Sequence, residues 1–142
     1  MDRAGRMTAR GYTRLVIAAI YAPFGVLHVV SSHAFLKIMP PLIPFPREVV
    51  IFTGLCEIAG AVGLLLPRTR RLAGIMLALY ALCVWPANIH HALSGVSVPP
   101  LPGSWWYHGP RLLLQPVFIW APLWAAGVVN WPFRRMSRPD AG

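Results

Sequence analysis

Residues 72–93 read LAGIMLALYALCVWPANIHHAL, an apolar run whose end carries an amide and two imidazoles. The run is about as long as the ~20 residues that a helix needs to cross the hydrocarbon core of a bilayer. Three more apolar runs of similar length occur near residues 14–33, 48–66 and 111–131. We therefore predict an all-α integral membrane protein, a single bundle of four transmembrane helices over residues 14–133.

The composition excludes an ordinary soluble domain. Of the 142 residues, 56% are hydrophobic and only 12% are charged, whereas charged residues make up about 25% of an average soluble domain. A secretory signal is an alternative interpretation of the first run, because arginines precede it. No small-x-small cleavage site follows, however, and the run continues to His33, so we expect a retained helix.

The net charge of +9 is concentrated at three places along the chain. Arginines cluster in an N-terminal segment over residues 1–13, in the turn at 68–71 and in a tail over 134–142. The positive-inside rule produces such an alternation, so we predict a multi-pass protein of the bacterial plasma (inner) membrane with both termini cytoplasmic. Orientation explains the charge without nucleic acid, although anionic lipid or an acidic partner at the basic face stays an open alternative.

The two connections on the opposite side resemble each other. The segments IMPPLIPFPRE (38–48) and SVPPLPGSWWYHGPR (97–111) both contain Pro-Pro-Leu. We expect stiff, non-helical loops, because proline fixes one backbone angle and donates no hydrogen bond. The match indicates two related helical hairpins. Trp105, Trp106 and Tyr107 would then lie at the outer interface, either as membrane anchors or as a lid over an outward-facing site.

Polar residues inside the apolar runs are candidates for function, because ionisable groups in a bilayer are costly unless they are paired. At ~1.5 Å of rise per residue, all of them fall in the outer half of the bundle, and Glu57 is the deepest. Small residues let helices approach closely, so Gly54 and Gly60 indicate a packed, inward face around Glu57. The predicted ligand-binding residues on the other helices are Tyr21 and His28 on the first, Asn88 and His91 on the third, and Arg111 and Gln115 on the fourth.

Only one histidine of the adjacent pair at 90 and 91 can face the bundle. We predict that His91 points inward with Asn88, and that His90 lies on the opposite side. Pro86 has a structural role in this prediction, because it deprives the Leu82 carbonyl of its helical donor. The Asn88 amide or a neighbouring helix could repair that defect.

The spacing favours neither metal binding nor thiol chemistry. His28, His91 and Glu57 are suitable ligand types, but no two of them share a metal-binding spacing on one helix face. Cys56 and Cys83 lack a Cys-x-x-Cys spacing, so we expect buried thiols that act as small hydrophobic side chains. A disulfide between neighbouring helices stays conceivable. We predict no metal, and no cofactor held by the chain itself.

A series of stretches resembles the DoxX family of small four-helix bacterial membrane proteins. They are His28 near the end of the first helix, FLKIMPPLIP, GLCEIAGAVGLLLPRTRRLAG, WPANIHHAL and the Pro-Arg that opens the last helix, and together they cover roughly residues 15–130. The resemblance implies a four-helix bundle that is associated with quinone-linked or thiol redox chemistry. The residues carried over are His28, Glu57, Pro86, Asn88 and Arg111, with the arginines of 68–71 as the inner turn.

Two functional hypotheses of different class follow. In the first, the chain is a redox-associated subunit that binds a quinone or similar hydrophobic ring compound in the outer half of the bundle. His28, Asn88 and Arg111 would bond the ring oxygens, Glu57 would accept or relay a proton, and electrons would come from a partner oxidoreductase. Whether the chain itself is catalytic stays open.

In the second hypothesis, the chain is a non-enzymatic scaffold. Its polar residues hold the helices together, and its arginine-rich face recruits a soluble oxidoreductase or lipid. Small-molecule transport is less favoured than either, because so small a bundle would need to form a homo-oligomer to enclose a path.

Overall fold

The computed structural model describes residues 7–96 and 103–132. These ranges contain helices and no strand. The helices are α1 (Ala9–Val30), α2 (Ser32–Leu36), α3 (Pro46–Leu65), α4 (Arg70–Ser94), α5 (Trp105–Leu113) and α6 (Gln115–Ala125). The predicted all-α fold class is therefore confirmed for the described part of the chain.

Three of the helices are long and apolar enough to span a membrane: α1 with 22 residues, α3 with 20 and α4 with 25. Large apolar side chains cover their outer surfaces, and Val30, Phe52 and Leu72 are 78%, 66% and 64% exposed. Soluble monomers rarely leave such extensive apolar surface in water. The length of the helices and their apolar surface therefore indicate a membrane protein.

The bounds of α3 and α4 lie close to the predicted spans at 48–66 and 72–93. In contrast, α1 begins at Ala9, earlier than the predicted residue 14, because the Thr8 side chain caps the helix by accepting a hydrogen bond from the Gly11 amide at 3.2 Å. The predicted N-terminal segment over 1–13 thus overlaps α1. The predicted basic tail over 134–142 lies outside the described residues.

The fourth predicted span, 111–131, differs from the structure in both of its bounds. The structure has α5 and α6 in its place, which meet at Leu114, and α6 ends at Ala125. Pro116 explains the break, because a proline lacks the N–H that a helix interior needs but is well tolerated in the first turn of a new helix. Neither α5 nor α6 is long enough to cross a membrane alone.

The helix α5 also occupies part of the second connection that we predict to be non-helical. Three of the four prolines in that connection lie at 99, 100 and 102, outside the described residues, and the fourth, Pro110, lies inside α5. From Trp105 to Gly109 the chain contains no proline, and the amides of Tyr107 and His108 bond to the Ser104 carbonyl at 2.9 and 3.1 Å. The proline argument therefore fails beyond Gly103.

Close contacts between small residues hold the long helices together. The most extensive packing joins α1 to α3, and α4 packs against both α3 and α6. A Cβ added to Gly25 would lie 2.7 Å from the carbonyl oxygen of Gly54, and one added to Gly54 would lie equally close to that of Gly25. Gly60 lies against the side chain of Leu77, whose Cδ2 would be 2.5 Å from an added Cβ. These approaches leave space only for residues without a side chain.

Arginines gather where α1 and α4 begin and where α3 and α6 end. Arg14 donates to the Ala125 carbonyl at 2.8 Å, and Arg10 donates to the Asn130 side chain at 2.6 Å. Arg70 donates to the Leu64 carbonyl at 3.4 Å. The last carbonyls of a helix lack intrahelical partners and carry partial negative charge, so these side chains close the ends of α3 and α6. We call this end of the bundle the arginine end.

Replacing Gly25 by Ala should destabilise the bundle, because the new Cβ would be forced against the backbone of α3. Overpacking of this kind costs about 1–3 kcal/mol. Gly11→Ala in the same helix is the control, since its nearest neighbour would lie 3.6 Å from the new Cβ, an ordinary contact. Thermal unfolding in detergent, followed by circular dichroism, compares the two. A Gly25→Ala protein as stable as wild type would contradict the close crossing.

Candidate functional site

A cavity of about 680 Å³ lies at the end of the bundle opposite the arginine end. Its walls come from the C-terminal halves of α1 and α4, the N-terminal half of α3, the segment around α2, and α5 with the start of α6. Most of the lining side chains are apolar or aromatic. The candidate residues in the wall are Tyr21, His28, Glu57, Pro86, Asn88, Arg111 and Gln115.

Among the described residues, Glu57 is the only carboxylate in the cavity wall, and it is 4% exposed. The Tyr80 hydroxyl donates to its Oε1 at 2.6 Å. On the other side, the His28 Nδ1 lies 3.1 Å from its Oε2. The carboxylate thus lies between one side chain of α4 and one of α1.

The His28 Nδ1 is also 2.8 Å from the Phe24 carbonyl oxygen. Both of its neighbours accept hydrogen bonds, so we assign a proton to Nδ1. The N–H is aligned with the nearer acceptor, so the hydrogen bond goes to the Phe24 carbonyl. The Glu57 Oε2 is therefore close to the imidazole without a hydrogen bond from any described residue.

Packing fixes the position of His28 relative to Glu57. The His28 ring stacks on Phe35 of α2, with centroids 3.8 Å apart and planes at 19°. The glycines of the crossing contribute as well, because a Cβ on Gly54 would meet the Cβ of His28 at 2.7 Å and one on Gly25 would meet that of Glu57 at 2.9 Å. The missing side chains let the imidazole and the carboxylate approach each other.

A second polar group of the cavity centres on Arg111. Its Nη2 donates to the Asn88 Oδ1 at 2.5 Å, and the Asn88 amide group donates to the Gln115 Oε1 at 3.2 Å. Gln115 in turn donates to the Ala81 carbonyl at 2.5 Å. Asn88 and Gln115 are both buried, so this chain of bonds connects α5, α4 and α6 through the interior.

His91 lies behind Arg111 and does not line the cavity. Its Nε2 is 3.1 Å from the Val96 carbonyl oxygen, and its Nδ1 is 3.2 Å from the Arg111 Nη1. A carbonyl can only accept and a guanidinium can only donate, so we assign the neutral tautomer with the proton on Nε2. His108 packs against the His91 ring, with centroids 4.7 Å apart. His91 thus positions the guanidinium, whereas we expected it among the ligand-binding residues.

The Asn88 side chain does not repair the defect that Pro86 leaves at the Leu82 carbonyl. The Asn88 amide bonds to Gln115 and not to the Leu82 carbonyl. Gln115 of the neighbouring helix donates to the carbonyl of Ala81, one residue before Leu82. The reason is geometric, because the carboxamide of Asn88 is already held between Arg111 and Gln115.

The two thiols are more accessible than we expected. Cys56 is half-buried and Cys83 is exposed, and neither forms a disulfide. Cys83 lies three residues after Tyr80 and four before Ala87, so all three share one helix face. Since Tyr80 and Ala87 line the cavity, Cys83 lines it too.

Sequence reasoning missed Tyr80 and Phe35, which contact Glu57 and His28. A tyrosine in an apolar run resembles a lipid-facing aromatic residue, so its type gave no signal. Its position was informative, because Tyr80 lies seven and eight residues before Ala87 and Asn88, two turns along the same side of α4. Phe35 lies in a short helix that the four-span pattern did not predict.

The chain belongs to a family described as a domain of unknown function (DUF8561), whose model matches residues 17–128. The match contains every described residue of the cavity wall, from Ile20 to Phe118. No curated protein and no solved structure matches the chain significantly.

Replacing Tyr80 by Phe should lower the free energy of unfolding by about 1–2 kcal/mol, because the buried carboxylate loses its hydroxyl donor. Tyr12→Phe is the matched control, since Tyr12 is 59% exposed on α1. Unfolding in detergent measures both variants. The Tyr80→Phe change should cost much less in a Glu57→Leu background, which has no acceptor. An equal cost in both backgrounds would mean that the bond contributes nothing.

Proposed function

We propose that this protein binds a quinone or a similar hydrophobic ring compound in its cavity. The observation that carries the proposal is a largely apolar cavity whose wall holds an unbonded carboxylate oxygen at one place and a guanidinium at another. A small number of placed polar groups in an apolar pocket is typical of small-molecule sites. A ring with oxygens on opposite edges matches such a distribution.

The apolar part of the site suits a flat ring. Phe24 and Phe118 line the cavity together with Tyr21 and Tyr80, and the latter two pack edge to face with centroids 6.0 Å apart. Aromatic rings favour such edge-to-face contacts as well as offset stacking. A planar ligand can therefore pack against several rings at once, while an aliphatic chain can leave toward the exposed apolar surface.

The polar groups have separate roles in this proposal. Arg111 and Asn88 hold one ring oxygen, and Glu57 lies at the other. A ring carbonyl becomes a hydroxyl on reduction, which requires a proton. Glu57 is suited to supply or accept it, because its Oε2 is close to the His28 N–H and has no hydrogen-bond partner among the described residues. His28 would then orient the carboxylate or exchange a proton with it.

The electrons would come from another protein. We propose a redox-associated membrane subunit, working with a soluble or membrane oxidoreductase, and the resemblance to the DoxX family supports this assignment. The chain itself would hold no cofactor. A homo-oligomer is compatible with the same role.

We also propose that the chain crosses the bacterial inner membrane four times. The helices α5 and α6 together run from residue 105 to 125, close to the ~20 residues of one crossing, and would form the fourth span. The arginine end would face the cytoplasm with both termini. The cavity would then lie in the outer half of the membrane.

A scaffold without a ligand is the second candidate. It is favoured by the chain of hydrogen bonds from Arg111 to Ala81, which would hold three helices together even if the cavity bound nothing. In that case the arginine end would be the functional surface, and it would recruit an oxidoreductase or lipid. A binding measurement separates the two candidates.

A water-soluble naphthoquinone should quench the tryptophan fluorescence of the detergent-solubilised protein in a saturable way. Trp106 lines the cavity, so Trp106→Phe should remove most of the quenching, whereas Trp131→Phe should not. Glu57→Leu should weaken binding of the corresponding naphthohydroquinone about tenfold or more, because a hydrogen bond from its hydroxyl to a charged group is lost. Glu48→Leu, at an exposed acid of the same helix, is the control. Quenching that does not saturate, or that is equal in all variants, would contradict the proposal.

Reporters fused to either terminus test the topology. An alkaline phosphatase fusion is active only outside the inner membrane, so fusions at both ends should be inactive, while fluorescent-protein fusions at both ends should fluoresce. Activity of a phosphatase fusion at one end would mean an odd number of crossings. Activity at both ends would reverse the orientation.

A further inference from the structure

The charge of Arg111 has no counterpart among the described residues that surround it. Its guanidinium donates to the Asn88 Oδ1 and the His91 Nδ1, and it lies over the Tyr107 ring at 5.5 Å from the centroid. An amide, a neutral imidazole and an aromatic ring carry no negative charge. The protein thus orients the cation without balancing it.

Neither described carboxylate forms an ion pair with the guanidinium. The two are Glu48 and Glu57, and neither lies within 4 Å of the guanidinium. Glu48 is exposed at the start of α3. Glu57 already has the Tyr80 hydroxyl and the His28 imidazole beside it. The carboxylate of the cavity wall thus has its own contacts, apart from those of the guanidinium.

The histidines behind Arg111 cannot supply the missing charge either. His91 keeps its proton on Nε2 because of the Val96 carbonyl, so its Nδ1 acts only as an acceptor. His108 is 4% exposed and packs against His91. Arginine stays protonated in proteins. A half-buried guanidinium with several unused N–H donors and no anion is costly in an apolar surrounding.

We infer that the ring compound bound in this cavity is an acid, and that its ionised oxygen bonds to Arg111. This inference rests on the proposed function and specifies its ligand class as ring compounds with an acidic hydroxyl, such as hydroxyquinones or acidic phenols. Charge-assisted bonds between guanidinium and oxyanion are about twice as strong as neutral ones. The opposite edge of the ring then faces Glu57, where a hydroxyl can donate to the unbonded Oε2.

Two ligands of nearly equal size test the inference. At neutral pH, 2-hydroxy-1,4-naphthoquinone is an anion, whereas 2-methoxy-1,4-naphthoquinone is neutral. Wild-type protein in detergent should bind the hydroxy compound about tenfold more tightly than the methoxy compound, as expected for one charge-assisted hydrogen bond. Fluorescence titration measures both dissociation constants.

Variants of Arg111 assign the preference to this residue. Arg111→Gln should bind both compounds equally, because the charge that distinguishes the anion from the neutral compound is gone. Arg111→Lys keeps the charge and should retain part of the preference, which covers the case in which the Gln variant fails to fold. Arg71→Gln removes one exposed charge at the arginine end and should change neither affinity.

The outcomes distinguish the binding of an acidic ligand from the binding of ring compounds in general. Equal affinities in the wild type would overturn the inference and leave the proposed function standing. A preference that persists in Arg111→Gln would also overturn it, because the anion would then bind elsewhere. Failure of both compounds to bind the wild type would overturn the proposed function itself.

Discussion

The hydrogen bonds that run from Arg111 through Asn88 and Gln115 to the Ala81 carbonyl join α5 and α6 to α4. In an apolar solvent, buried polar groups must be satisfied by other protein groups. This requirement fixes the rotation of α4, because turning it by one residue would remove the Asn88 carboxamide from both partners. The same hydrogen bonds also bridge the break at Leu114, since Arg111 belongs to α5 and Gln115 to α6. The fourth part of the bundle is therefore held by polar contacts to α4 rather than by continuous helix.

Glycines determine how close His28 and Glu57, the other polar residues of the site, lie to each other. At the crossing of α1 and α3, Gly25 lies against Glu57 and Gly54 against His28, so the closeness of the helices sets the separation of imidazole and carboxylate. Toward the arginine end the same helices pack into an apolar core around Leu64 and Leu77, which are fully buried. Toward the other end, α1 packs with α2 and α3 while α5 packs with α4 and α6, and the cavity lies between these groups. The positions of the small residues and the prolines in the sequence thus explain why the arginine end is tightly packed and the opposite end contains a cavity.

Helical periodicity predicts the inward faces around Asn88 and Glu57. Asn88 and His91 are buried as predicted from their face of α4, His90 is less buried, and Glu57 lies among small residues. Periodicity could not predict which side chains bond to each other across helices. Such pairs depend on the relative height and rotation of the two helices to within a single residue. Periodicity therefore missed the bond from Tyr80 to Glu57 and the bond from Gln115 to Ala81. It also extended the fourth helix through Pro116, where a proline after a short amphipathic helix starts a new one.

Analysis of what co-purifies with the protein from native membranes tests the central claim most directly. The purified protein would be extracted with organic solvent, and ring compounds would be quantified by absorbance and mass spectrometry against a variant with a filled cavity, Ala87→Trp. Ala87 lines the cavity and is half-buried, so an indole there would occupy the ligand's space. The account predicts a near-stoichiometric ring compound with the wild type and little or none with Ala87→Trp. Equal amounts from both proteins, or none from the wild type, would contradict it.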